Sequence, residues 1–254
     1  MSVIGIVSMK GGVGKTSTCA NLATALASLL GKNRVSVVDL DPQNGLHWHF
    51  GFDTPASDGV CTQSLRGTSW SDIAIQSEFD VACLPYGHVD ESSREEFEGL
   101  LGEEPHWVGH QLHQARLDRD AVVLIDTPPG PSVYLKQVFA CADLILIVLL
   151  ADAGSYATVP AMESWLEEMS QQRPRVQSFY VLNQVDRAEA LNRDVADMLR
   201  RHIGQNFAPI GIHTDEAVCE ALAFQQPVLV YDPHGQASHD LAKLASWVID
   251  ILNQ

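Results

Sequence analysis

Two lysines bracket a run of small residues in "MKGGVGKTS", Met9 to Ser17. The end of this stretch meets the phosphate-loop pattern G-x-x-x-x-G-K-[ST] at Gly14, Lys15 and Thr16, but Met9 stands where the first glycine would be and Lys10 follows it. Gly11, Gly12 and Gly14 let a backbone bend tightly around phosphates, Lys15 can reach the β- and γ-phosphates, and the Thr16 hydroxyl can ligate Mg²⁺. Gly11, Gly12, Val13, Gly14, Lys15, Thr16 and Ser17 are therefore the candidate nucleotide-binding residues.

Carboxylates follow two further apolar runs. "VSVVDLDPQ" carries Asp39 and Asp41 two residues apart, which puts them on the same side of an extended chain. "AVVLIDTPPG" ends in Asp126, at the position that holds Mg²⁺ through water in phosphate-loop enzymes. A lone aspartate after a strand usually caps a helix or stabilises a turn. Three of them beside a phosphate loop point instead to metal binding at Thr16, Asp39 and Asp126 and to water positioning.

These groups converge only if the chain is an α/β fold whose parallel strands present their C-terminal ends to one ligand. Strands are expected at 3–7, 34–39, 79–84, 121–125, 144–149 and 176–182, with a weaker piece at 209–212, and helical segments lie between them. The first helix should span 15–30, with Cys19, Leu22, Ala23, Leu26 and Leu30 at helical spacing and Gly31 as its stop. The glycine loop then sits on a strand-to-helix turn, where backbone N–H groups and a helix N-terminus meet an anion. The last helix is expected over 238–252. A single domain, 1–254, with a mostly parallel sheet and helices on both faces, suits the length.

The composition excludes several classes. The longest apolar run, "LILIVLLA", is too short to span a bilayer, and the N-terminus lacks a signal-peptide pattern, so a cytoplasmic protein without membrane insertion is expected. Five scattered cysteines suggest reduced thiols. Sixteen basic residues against 32 acidic ones give a net charge of −16, which argues against direct binding of DNA or anionic lipid.

"KGGVGKTS", "VVDLDPQ", "LIDTPPG" and "PVLVYDPHGQA" together resemble the ParA/MinD family of deviant-Walker ATPases, a P-loop NTPase fold, over essentially the whole chain. The resemblance implies ATP and Mg²⁺ as ligands, and an ATP-bound homodimer in which Lys10 reaches the phosphates held by the other subunit. It also implies Asp41 as the water-positioning carboxylate, Asp39 as its supporting partner, Asp126 as the metal carboxylate and Asn183, in "VLNQVD", as a base-contacting amide. Lys10, Lys15 and Asp41 would be the catalytic set. The stretches 67–101 and 213–231 are similar to the BcsQ branch, found with bacterial cellulose synthase genes. That similarity implies protein partners in a cellulose synthase complex and recruitment to the inner membrane or cell pole through them. Some members of that branch lack the phosphate-loop lysine; Lys15 is present here.

Three functions remain open: an ATP-dependent dimeric switch serving cellulose secretion, a partitioning ATPase, and a nucleotide-binding scaffold with negligible turnover. The irregular region 43–118 is the expected partner surface. His106, His110 and His113 share one helical face that could hold a metal, with a plain polar face as the alternative; His47, Trp48, His49 and Phe50 read equally as an interface or as packing.

Overall fold

The computed structural model describes residues 1–52, 57–115 and 120–254. The apolar runs form strands β1 (Ser2–Val7), β2 (Val35–Asp39), β4 (Val81–Leu84), β5 (Val122–Asp126), β6 (Leu144–Leu150) and β7 (Gln177–Asn183), joined by a short β3 (Ile75–Gln76). They pair in the order β3-β4-β2-β5-β1-β6-β7, parallel throughout except where β3 runs against β4. Parallel strands are covered on both faces, which is why these segments read as continuous rather than alternating apolar runs.

The two faces separate cleanly. Val3, Val123, Ile125, Ile145 and Ile147 pack beneath α3 (Glu91–Glu103), α4 (Trp107–Gln114), α5 (Val133–Cys141), α6 (Ala153–Gln172) and α7 (Ala190–Ile203), through residues such as Phe97, Leu112, Val138, Met162 and Leu199. The alternate residues Ile4, Ile6, Val37, Leu124 and Leu146 pack beneath α1 (Lys15–Leu30), α8 (Glu216–Ala223), α9 (Val228–Tyr231) and α10 (Gln236–Leu252), through Leu22, Leu26, Val228, Leu244 and Val248. A helix α2 (Val60–Leu65) completes the first layer. The predicted single-domain architecture with helices on both faces is the observed one.

Three expectations need correction. The 209–212 piece is not a strand: Ala208 and Ile212 each donate one bond to β7 carbonyls, at 2.9 and 2.8 Å, and only isolated bridges, Phe207 with Tyr180 and His213 with Val185, pair the chain on either side of it. The strand expected from Phe79 starts at Val81, because Asp80 turns the chain with φ 59°. The last helix begins at Gln236 rather than Ser238. No helix among the described residues is long and apolar enough to cross a membrane.

Candidate functional site

Strand β1 lies between β5 and β6, and its C-terminal end opens into the glycine loop. Gly12 (φ 75°) and Gly14 (φ 82°) adopt the left-handed conformation that side chains disfavour, and Gly14 leads straight into α1. A Cβ on Gly14 would stand 2.3 Å from Asn183 Nδ2, so the loop and the end of β7 are in close approach. Asn183 Nδ2 donates to the Val13 carbonyl at 2.9 Å, holding the loop from the end of β7. From the other side Gly130 N donates to the Ser8 carbonyl at 2.8 Å, which ties the segment after Asp126 to the start of the loop.

Beneath the loop lies an arrangement that a protein core tolerates only for a reason. Asp39 and Asp126 are register partners on adjacent strands, and both are fully buried. Burial pushes the Asp126 carboxyl up to about 6, opposed by the buried Lys15 ammonium and by the hydrogen bond from Thr16. Burial, with Asp126 beside it, also pushes the Asp39 carboxyl well above the usual range. Thr16 Oγ1 donates to Asp126 Oδ2 at 2.6 Å, whereas Asp126 Oδ1 is buried with no hydrogen-bond partner. Native structures seldom leave such an atom unsatisfied without a ligand or water to meet it. A divalent cation held by Thr16 and, through water, by Asp126 would meet that oxygen and relieve the repulsion between the two carboxylates.

Asp39 and Asp41 are not side by side on an extended chain, as their spacing suggested. The strand ends at Asp39, whose two carboxylate oxygens accept the N–H groups of Asp41 (2.9 Å) and Leu46 (3.0 Å). Asp39 thus buttresses the turn that carries Asp41. Asp41 is half-buried, and its Oδ1 accepts from Gln43 N at 3.0 Å. Of the metal candidates, Asp126 keeps one unpartnered carboxylate oxygen and Thr16 holds its hydroxyl against the other, whereas Asp39 is committed to backbone donors.

Lys10 points away from the loop it belongs to. Its ammonium pairs with Asp152 Oδ2 at 2.5 Å, and Asp152 Oδ1 accepts from Ser155 N at 2.6 Å, capping α6. Asp152 was not singled out from the sequence. The signal was there, since it stands just past the apolar run of β6 as Asp126 closes that of β5, but nothing in the sequence pairs it with Lys10.

His110 and His113 are exposed on α4, and His106 is exposed just before it; the helix's buried side is Val108, Gln111 and Leu112. No group of three or more potential metal ligands of the His, Cys, Asp or Glu type occurs among the described residues. Leu46–Phe50 forms a 3-10 turn in which His47, His49 and Phe50 are buried, so this stretch packs inward. Of the irregular region 43–118, residues 53–56 in "DTPASDG" and residues 116–118 lie outside the described residues.

The family model described as "Cellulose biosynthesis protein BcsQ" matches residues 1–249. A cellulose biosynthesis protein BcsQ of Salmonella typhimurium is 28% identical over 98% of this chain and 94% of its own length. A chromosome partitioning protein ParA of Caulobacter vibrioides is 29% identical over the same shares. Among solved structures, the septum site-determining protein MinD of Pyrococcus horikoshii, complexed with Mg-ADP, superposes with a TM-score of 0.75 at 22% identity, covering 97% of this chain and 95% of the other.

Proposed function

The chain belongs to the BcsQ family of cellulose biosynthesis proteins, and from that premise we propose that it is an ATP-dependent dimeric switch acting on a cellulose synthase complex. The observation that carries the nucleotide part is the unpartnered, buried Asp126 Oδ1 beneath a left-handed glycine loop, beside Thr16 and Lys15. Mg²⁺ bound there would supply positive charge to the phosphates. Lys15 neutralises the same phosphates, and the loop N–H groups and the α1 N-terminus cradle them. Thr16 and Asp126 hold the metal, with Asp39 fixing the neighbouring turn. Asp41 orients the attacking water, and the Asn183 carbonyl oxygen accepts from the adenine amino group. Lys10 exchanges Asp152 for the phosphates of a second subunit, so that productive ATP binding depends on dimerisation.

Hydrolysis then opens the dimer and releases protein partners that recruit this cytoplasmic chain to the membrane-bound synthase. The MinD relative's complex with Mg-ADP supports the ligand assignment, and the BcsQ relatives support the process. The 29% identity to a ParA favours one second reading, DNA partitioning, against which the net charge of −16 stands.

The test combines sedimentation with Mg-ATP, phosphate release and a DNA titration at two salt concentrations. The wild-type chain should dimerise with ATP, turn over slowly and ignore DNA, and Lys15→Ala should bind no nucleotide tightly. Unaltered ATP affinity in Lys15→Ala would overturn the loop assignment. Salt-sensitive micromolar DNA binding would replace the cellulose reading with partitioning.

A further inference from the structure

Water meets several large apolar side chains where α8 turns into α9. Phe224 is 68% exposed, Val230 45% and Leu222 37%. None of the exposed large apolar residues among those described falls between residues 43 and 118, where partner contacts were expected. The turn is ordered. Phe224 stacks on Tyr231 with ring centroids 5.5 Å apart and an interplanar angle of 23°, and Tyr231 Oη donates to Glu220 Oε2 at 3.0 Å. Gln225 holds the bend in a left-handed conformation (φ 54°), and Gln226 N donates to the Ala221 carbonyl at 3.0 Å.

The elbow is fastened to the nucleotide loop's own helix. Val228 is fully buried, and its N–H donates to Asn21 Oδ1 at 2.7 Å, Asn21 lying on the helix that starts at Lys15. Rigid aromatic side chains presented on such a support are what binding surfaces use, because little entropy is lost when they are covered.

Charge identifies the occupant. Between Arg201 and Lys243 the chain has no lysine or arginine, and the acids around the elbow are Glu216, Glu220 and Asp232. A second copy applied to this face would set acid against acid, and anionic lipid would be repelled. We propose that the α8–α9 elbow is a docking site for a basic amphipathic helix of a partner protein, its apolar stripe on Phe224 and Val230 and its cations against Glu216, Glu220 and Asp232. This site stands apart from the ATP cycle, so it can fail without affecting the nucleotide reading.

The probe is a fluorescent model helix of leucine and lysine, set against a leucine–glutamate counterpart and titrated into the full chain by anisotropy. The basic peptide should bind, and added salt should weaken it. Phe224→Ser and Val230→Lys should each weaken it about tenfold or more, as expected for removal of a central anchor and for charge repulsion. ATP affinity should stay as in the wild type and the melting temperature should fall by no more than about a few degrees, since the substitutions remove a surface stack and a half-exposed side chain. Equal affinity in the variants, or equal binding of the acidic peptide, would overturn the proposal. So would a nucleotide-independent dimer that Phe224→Ser abolishes, which would make the occupant a second copy.

Discussion

Lys10 and Asp152 form an ion pair at 2.5 Å within one chain, and the same carboxylate caps α6. The two side chains are 33% and 40% exposed, so water screens the pair and its worth is at most about 1 kcal/mol. A contact this weak can be traded for a phosphate. Asp152→Asn keeps an acceptor for the cap and frees Lys10, and it should strengthen ATP-dependent dimerisation several-fold in sedimentation. Lys10→Ala should bind ATP in calorimetry but form no ATP dimer; a dimer of normal strength would remove Lys10 from the interface.

Asp41 and Asp126 should separate by phenotype. Asp41→Ala should keep ATP and Mg²⁺ yet lose turnover by about 10²-fold or more, leaving the dimer trapped, because it removes only the group that orients water. Asp126→Ala should raise the Mg²⁺ concentration needed for ATP binding about tenfold or more. Matching Mg²⁺ titrations in the two variants would show that the metal and water roles are wrongly divided.

Asn183 serves the loop through Nδ2, and its oxygen is assigned here to the adenine amino group. Asn183→Ala should cut ATP affinity more than GTP affinity, since guanine has no amino group at that position, with a total loss of about 1–2 kcal/mol. Parallel losses for both nucleotides would leave the side chain with only its structural bond to Val13.

His49 makes stability depend on pH. Burial lowers its pKa from 6.5 to about 4, so the folded chain keeps it neutral while the unfolded chain protonates it below about 6.5. This contribution is fully present above pH 6.5 and declines as pH falls towards 4, by at most about 3 kcal/mol. Urea unfolding at pH 7 and pH 5 should show a smaller drop for His49→Leu than for the wild type. An equal drop would assign the acid sensitivity to other groups.

Much of this protein was legible in its residues. The order strand, glycine loop, Lys15, Thr16 and amphipathic helix is local, and local order dictates the turn; α1 runs over the predicted Lys15–Leu30, with Gly31 at its end. Strand segments alternating with helical segments announced a mostly parallel sheet, because parallel strands need crossover connections. What tertiary structure decided was which distant groups meet. Asp39 and Asp126 become neighbours only because β5 pairs with β2, and the repulsion that calls for a cation is a property of that pairing. Asp152 meets Lys10 across the loop ends of β1 and β6, and Phe224, just past the end of α8, stays in water because that helix turns Ala217 and Ala221 into the core. Spacing along a chain records the periods of helix and strand, whereas strand order and the side of a turn on which a carboxylate falls depend on contacts far apart in sequence.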